Sequence, residues 1–136
     1  RASVSLTGFA QRFRDLIQFT FAPPTPGGPN FFNVAAANAS GVEAGVTLRP
    51  VAGLEVSGAY TRLHTVVTDA GFDSGEDATF VNGRRLLRRP DDLLTLSARL
   101  SPAARWRVGA VLNVVGGRDD LRFAQFPNPT VRVTLP

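Results

Sequence analysis

From Gly41 to Tyr60 the chain reads GVEAGVTLRPVAGLEVSGAY, two runs of alternating residues separated by a short break. Val42, Ala44, Val46 and Leu48 fall on one side of the first run, and Glu43, Gly45 and Thr47 on the other. In the second run Leu54, Val56, Gly58 and Tyr60 alternate with Glu55, Ser57, Ala59 and Thr61. A period of two places successive side chains on opposite faces of a strand, whereas a helix would repeat every three or four residues. Pro50 and Gly53 in the break predict a tight connection, so the two strands form an antiparallel hairpin.

The same pattern recurs at 94–114. Leu94, Leu96, Ala98 and Leu100 alternate with Thr95, Ser97 and Arg99; beyond SPAA, Trp106, Val108, Ala110, Leu112 and Val114 alternate with Arg107, Gly109 and Asn113. A further strand is read near the start in SVSLTGFAQRFRDLIQFTF, less regular after Phe9, and TVRVTL at the end begins another with Val131, Val133 and Leu135 on one face. The predicted strands cover approximately 3–20, 31–48, 54–67, 88–101, 105–117 and 130–135. The predicted fold class is therefore all-β, an antiparallel up-and-down meander of about six strands.

Connection lengths alternate as well. Short turns at 49–53 and 101–105 contrast with longer polar links: APPTPGGPN, the stretch from Val67 to Arg88, and GGRDDLRFAQFPNP. In an up-and-down arrangement all long links lie at one end and both short turns at the other. Alternation alone suits a soluble β-sandwich, apolar face inward, as well as a membrane barrel with its apolar face in lipid. The asymmetry of the connections favours the barrel, because outer-membrane barrels pair short periplasmic turns with longer outer loops. On that reading Val42, Val46, Val56, Leu96, Val108 and Leu112 face lipid, and Trp106 and Tyr60 mark opposite interfacial aromatic girdles. Glu43, Thr47, Glu55, Ser57, Thr95, Ser97, Arg99, Arg107 and Asn113 face a hydrated lumen.

Composition narrows the function classes. The 136 residues are 43% hydrophobic and 19% charged, too apolar for a disordered tail. No stretch reaches the roughly 20 unbroken apolar residues of a spanning helix, which says little about a barrel whose spans are short and alternating. With no methionine and an opening Arg1, the chain reads as a piece of a longer one. The absence of cysteine excludes disulfides and thiolate metal sites. All fifteen basic residues are arginine, giving a net charge of +4. They are spread along the chain without an accompanying aromatic recognition motif, so no nucleic-acid partner is expected.

Candidate chemistry concentrates in the link after Val67. Asp69, Asp73, Glu76 and Asp77 form an acidic stretch that can meet a cation, but the spacing departs from the calcium-loop pattern, and a solvated loop is the favoured reading. Arg84, Arg85, Arg88 and Arg89 follow it at the same rim; their guanidinium forks fit the carboxylates of an anionic complex or the phosphates of lipopolysaccharide, or else neutralise the neighbouring acids. Asn82-Gly83 predicts a type I′ turn and a small hairpin within the link, with Phe72 and Phe80 packing locally. His64 is the only histidine, and no serine has a partner constellation. No catalytic residue, cofactor or metal site is expected, and the chain is read as not an enzyme.

The run NVAAANASGVEAGVTLRPVAGLEVSGAYTRLHTVV, followed by GRRLLRRPDDLLTLSARL and preceded by FRDLIQF, resembles the β-barrel of TonB-dependent outer-membrane receptors. The resemblance rests on a Gly-Val-Glu opening a downward strand, an RP…GL turn leading to an aromatic-Thr pair, and R-R-P before the next downward strand. Asp91 stands where the family more often carries a basic residue or histidine. The likeness implies an internal portion of a large barrel of about 22 strands, with the plug domain absent from residues 1–136. It further implies location in the bacterial outer membrane, contact with membrane lipid and lipopolysaccharide, and active import of a scarce nutrient such as a ferric siderophore or cobalamin. An inner-membrane energy-transducing protein would act through an N-terminal segment outside this chain. The alternatives are a soluble β-sandwich binding or adhesin module, or a passive porin segment. A section of barrel cannot close, so an open curved sheet with two bare edges is expected.

Overall fold

The computed structural model of the chain describes residues 1–19, 25–71, 78–103, 105–123, 125 and 130–136. Five strands form one antiparallel sheet in sequence order: β1 (Ala2–Phe19), β2 (Phe31–Leu48), β3 (Leu54–Asp69), β4 (Asp92–Ala103) and β5 (Trp106–Val115). The sheet is curled, as in part of a barrel wall. Two shorter strands, β6 (Arg118–Arg122) and β7 (Val131–Leu135), pair with each other in a separate hairpin. β1 and β5 each have a single neighbour in the sheet, so both outer edges are without a partner strand among the described residues.

Register shows how the alternation is used. Val46 lies opposite Val4 and Gly58, Gly58 opposite Leu96, and Leu96 opposite Leu112. Leu48, Val56, Ala98 and Ala110 make the next row, and Leu54, Leu100 and Val108 the one after it. Since directly opposed residues share a face, the apolar sets of all five strands merge into one continuous surface. Nothing among the described residues covers it: Val42, Val46, Val56 and Leu96 are exposed, as are Val108 at 60% and Leu112 at 55%. The two-layered core of a sandwich is therefore missing, although these are the residues that would have built one.

The opposite face is mostly polar. Its hydroxyl and amide groups satisfy one another across neighbouring strands: Ser57 Oγ lies 2.7 Å from Ser97 Oγ, and Thr95 Oγ1 donates to Asn113 Oδ1 at 2.9 Å. At the short-turn end, Arg49 Nε donates to Glu55 Oε2 at 2.6 Å. Gly53 closes the β2–β3 turn with φ at 80°, a conformation that costs a glycine nothing, and its carbonyl accepts from Ser101 N–H at 2.7 Å.

Strand length separates two zones. β5 spans 10 residues, within the roughly 9–11 that a tilted strand needs to cross hydrocarbon. β1 and β2 have 18 each and β3 has 16, so their loop-proximal ends continue past this zone. There the outer face turns polar, with Arg12 opposite Asn38, Ser40 opposite His64, and Arg62 opposite Asp92. Tyr60 is the last apolar outward residue of β3 before this change, and its hydroxyl donates to Asp92 Oδ1; Trp106 opens β5 at the other end. In β1 the pairing slips between Phe13 and Leu16, where Asp15 adopts φ of 55°. A short polar side chain tolerates that left-handed geometry, and the result is a bulge.

Three features differ from the sequence expectation. β4 begins at Asp92, not near 88, because Pro90 lacks a ladder donor and Arg88 sits at φ of 58°. The final strand does not extend the sheet. Part of the link after β5 is itself a strand, β6, set off from β5 by Gly116 and Gly117, and the nearest free edge for β7 is that of β6. Finally, Asn82-Gly83 forms no I′ hairpin. Arg84 N–H bonds Val81 C=O at 3.0 Å and Gly83 alone has positive φ, 76°, the pattern of a type II turn with no flanking strands.

Gly41 lies between Phe9 and Leu63, and a Cβ there would stand 2.3 Å from the Arg62 carbonyl oxygen and 2.7 Å from Phe9 Cζ. Gly41→Val is expected to destabilise the barrel wall by about 1–3 kcal/mol through overpacking, read as a lower urea midpoint in detergent. An unchanged midpoint would show that this close approach does not exist. The isolated 136-residue chain is expected to self-associate in detergent-free buffer through β1 and β5, which sedimentation velocity checks; a stable monomer there would refute the open-edge description.

Candidate functional site

The inner face changes character toward the long-loop end. Phe9 and Phe13 on β1 and Leu63 on β3 occupy positions that nearer the short turns carry Ser3, Ser5, Ser57 and Thr61. Residues 78–91 fold over this patch. Phe80, 7% exposed, packs with Ala35, Val67 and Ala70, and Leu16 and Leu86 lean against the cluster. Between wall and loop lies a cavity of about 740 Å³, with Phe9, Phe13, Leu63, Phe80, Leu86 and Leu87 as its apolar lining. Glu43 and Arg89 are its charged residues. That volume, and the mixture of apolar side chains with Gln11, Glu43, Arg89 and four threonines, suit a small-molecule site.

The loop holds its position by replacing the missing part of β4. Because β4 starts at Asp92, the upper edge of β3 has no strand partner, and the loop backbone takes the role. Leu63 N–H donates to Asp91 C=O at 2.8 Å, Val67 N–H to Arg84 C=O at 2.9 Å, and Gly83 N–H to Val67 C=O at 3.0 Å. Leu86 N–H completes the contact by donating to Thr65 Oγ1 at 3.1 Å.

On its other side the loop is tied to the β6–β7 hairpin through one buried carboxylate. Asp119, 5% exposed, accepts from Arg85 at 3.3 Å and from Thr134 Oγ1 at 3.1 Å, and pairs with Arg132 at 3.6 Å. Its own carbonyl accepts Arg88 N–H at 2.7 Å. Arg85 also bonds Asp91, and Arg88 Nε donates to Asp120 Oδ1 at 2.8 Å. The Asp91 hydrogen bond holds the Arg85 guanidinium more firmly protonated than usual. The Arg88 hydrogen bond, helped by the Leu121 N–H, holds the Asp120 carboxyl below its ordinary 3.8.

The candidates from sequence thus separate. Arg85 and Arg88 are engaged by Asp91, Asp119 and Asp120. Arg84 is exposed and lines a second cavity, while Arg89 lines the first. Asp69 accepts from Gly71 N–H at 2.8 Å within its own turn. Asp73, Glu76, Asp77 and Phe72 lie outside the described residues. His64 is exposed on the outer face across from Ser40. Among the described residues no three of His, Asp and Glu converge on a common point. Sequence reading missed Phe9, Phe13 and Leu63, whose signal was an apolar residue on the otherwise polar parity of its strand. It also missed Asp119 and Arg132, because pairing of β6 with β7 leaves no local signature.

Asp119→Ala is expected to loosen the loop against the hairpin, with the Arg88–Asp120 pair and the backbone bond from Arg88 N–H to the carbonyl of residue 119 left in place. Removing one partner of a buried pair costs about 3–5 kcal/mol, so amide exchange at Leu86 and Arg88 should accelerate strongly while β2 and β3 stay protected. Uniform exchange across the wall would contradict this local role. For Asp120 the folded value is depressed, so its stabilising contribution is complete above about pH 4 and is lost as pH falls through that lowered value. The carboxylate infrared band lost in Asp120→Asn should therefore persist below pH 3.8 in the parent protein; disappearance above that pH would disprove the pairing with Arg88.

No curated protein matches the chain at a significant level. The family model described as TonB dependent receptor-like, beta-barrel matches residues 1–132. That span takes in all five strands of the sheet and the loop folded over its inner face. The chain belongs to the β-barrel family of TonB-dependent receptors, which are outer-membrane transport proteins and not enzymes.

Proposed function

We propose that residues 1–136 form a section of the lipid-facing wall and outer rim of a receptor that imports a scarce nutrient such as a ferric siderophore or cobalamin. The observation that carries this is the division of one curled sheet into an uncovered apolar face and a hydrogen-bonded polar face. Water would not leave so large an apolar surface bare; hydrocarbon would. Val42, Val46, Val56, Leu96, Val108 and Leu112 meet the acyl chains, and Trp106 and Tyr60 stand at the two interfaces.

Above Tyr60 the outward Arg12, Arg62 and His64 reach headgroup level, where lipopolysaccharide phosphates are the matching partners. The inner face lines the lumen, and the cavity under residues 78–91 receives an apolar part of the ligand or of the plug. A neighbouring Arg89 and Glu43 orient it. Energy arrives from the inner-membrane partner through a segment outside residues 1–136. This section supplies wall, rim and contact surface, and no bond-making chemistry.

Two substitutions at adjacent positions test the lipid assignment. Leu112→Arg in the full receptor is expected to cost about 2–4 kcal/mol of folding free energy in vesicles, while Asn113→Arg on the lumen side costs little. Equal costs would refute the assignment of faces. For the cavity, Phe13→Ser combined with Arg89→Glu is expected to reduce nutrient uptake at least tenfold at equal surface level. Unchanged uptake across ferric siderophores and cobalamin would remove the cavity from ligand recognition.

A further inference from the structure

A second cavity, of about 500 Å³, lies between the turn at 81–84 and the β6–β7 hairpin. Its walls carry Arg84, Arg85 and Arg132 against one carboxylate, Asp119, with the hydroxyls of Thr130 and Thr134 beside them. Arg85 is already shared between Asp91 and Asp119. Arg132 differs. Its side chain is only 12% exposed, Nη2 donates to the Ala78 carbonyl at 3.3 Å, and Nη1 sits 3.6 Å from Asp119, too far for a hydrogen bond. Nε and Nη1 are buried with no acceptor among the described residues.

A guanidinium remains charged under all ordinary conditions, so it cannot relieve its burial by losing a proton. Burial and the nearby Arg84 both disfavour the charged form here, and Asp119 compensates only in part. Arg84 is in none of the ion pairs formed among the described residues. Among the described residues, two cations are thus left short of negative charge around a space large enough for a small polyoxyanion. Nε and Nη1 present the two-pronged donor edge that matches a carboxylate or phosphate.

We infer that this cavity binds an oxyanion, a carboxylate or phosphate group, with Arg132 and Arg84 as its ligands and Asp119 and Arg85 as the residues that position Arg132. Whether the anion is free or belongs to a lipid headgroup is decided by the side on which the cavity is built. The segment forming it packs Phe80 and Leu86 onto Val67 and Leu16, at the inner-face cluster. That placement favours a free anion entering from the rim. The inference rests on the importer reading only for its biological meaning; anion binding is a property of the folded rim in either case.

The test uses the full-length receptor in nonionic detergent, titrated calorimetrically with citrate and with inorganic phosphate in low-salt buffer. Saturable one-to-one binding of at least one anion is expected, weakened at least tenfold in both Arg132→Gln and Arg84→Gln. Arg84→Gln leaves every contact of Asp119 intact, so its effect cannot come from loss of the hairpin tie. Arg107→Gln, on β5 and outside the cavity lining, should bind as the parent does. Absence of saturable binding, or equal binding in the Arg84 and Arg132 variants and the parent, would overturn the inference. Binding to lipid A vesicles but to neither free anion would also overturn it, by assigning the arginines to a headgroup. Uptake measured in parallel keeps the two readings apart: intact uptake with no anion binding removes this site and leaves the importer standing.

Discussion

The constraint on which this structure depends is the pairing of backbone N–H and C=O groups where no water can substitute. A strand in hydrocarbon has no other source of hydrogen bonds, and each unpaired group costs several kcal/mol. The five-strand ladder meets that demand for β2, β3 and β4 on both sides. It leaves the outer sides of β1 and β5 open, as any section of a larger closed wall must. Past the hydrocarbon zone, the loop at 83–91 continues the pairing of β3. Where β4 gives out, irregular backbone moves in and serves Leu63 and Val67.

Once pairing is satisfied, register decides what each face can do. A shift of one residue would send Leu96 and Leu112 to the inner face and Ser97 and Asn113 outward. The tight turn around Gly53 holds the register at one end, and the Ser57–Ser97 and Thr95–Asn113 contacts support it from the inner face. Small residues add a finer adjustment. Gly41 lets Phe9 lie against the wall, and this begins the apolar patch that the folded loop then covers.

At the rim, buried charge adds to the apolar cluster around Phe80. Asp119 joins three chain segments that are far apart in sequence, by contacts to Arg85, Arg88, Arg132 and Thr134. Surface ion pairs contribute little singly, but this carboxylate is buried and multiply engaged, so its loss leaves cations stranded. The rim is also more basic than it is acidic within the second cavity, which gives that region a chemical character distinct from the neutral lumen wall.

The all-β class, the alternation within each strand and the family were legible from the chain alone. Period two is a local property, and short turns carry their own marks in Pro50 and Gly53. The identity of the exposed set, Val42 through Leu112, followed from the same parity. Whether a second layer packs on that set did not, because a sandwich and a barrel share the pattern; a single sheet with that face uncovered among the described residues decided it. The break after Val115, the pairing of β7 with β6, and the meeting of Arg132 with Asp119 and Ala78 came only from tertiary structure. Each depends on which distant edge or charge is nearest in space, and no local periodicity encodes that.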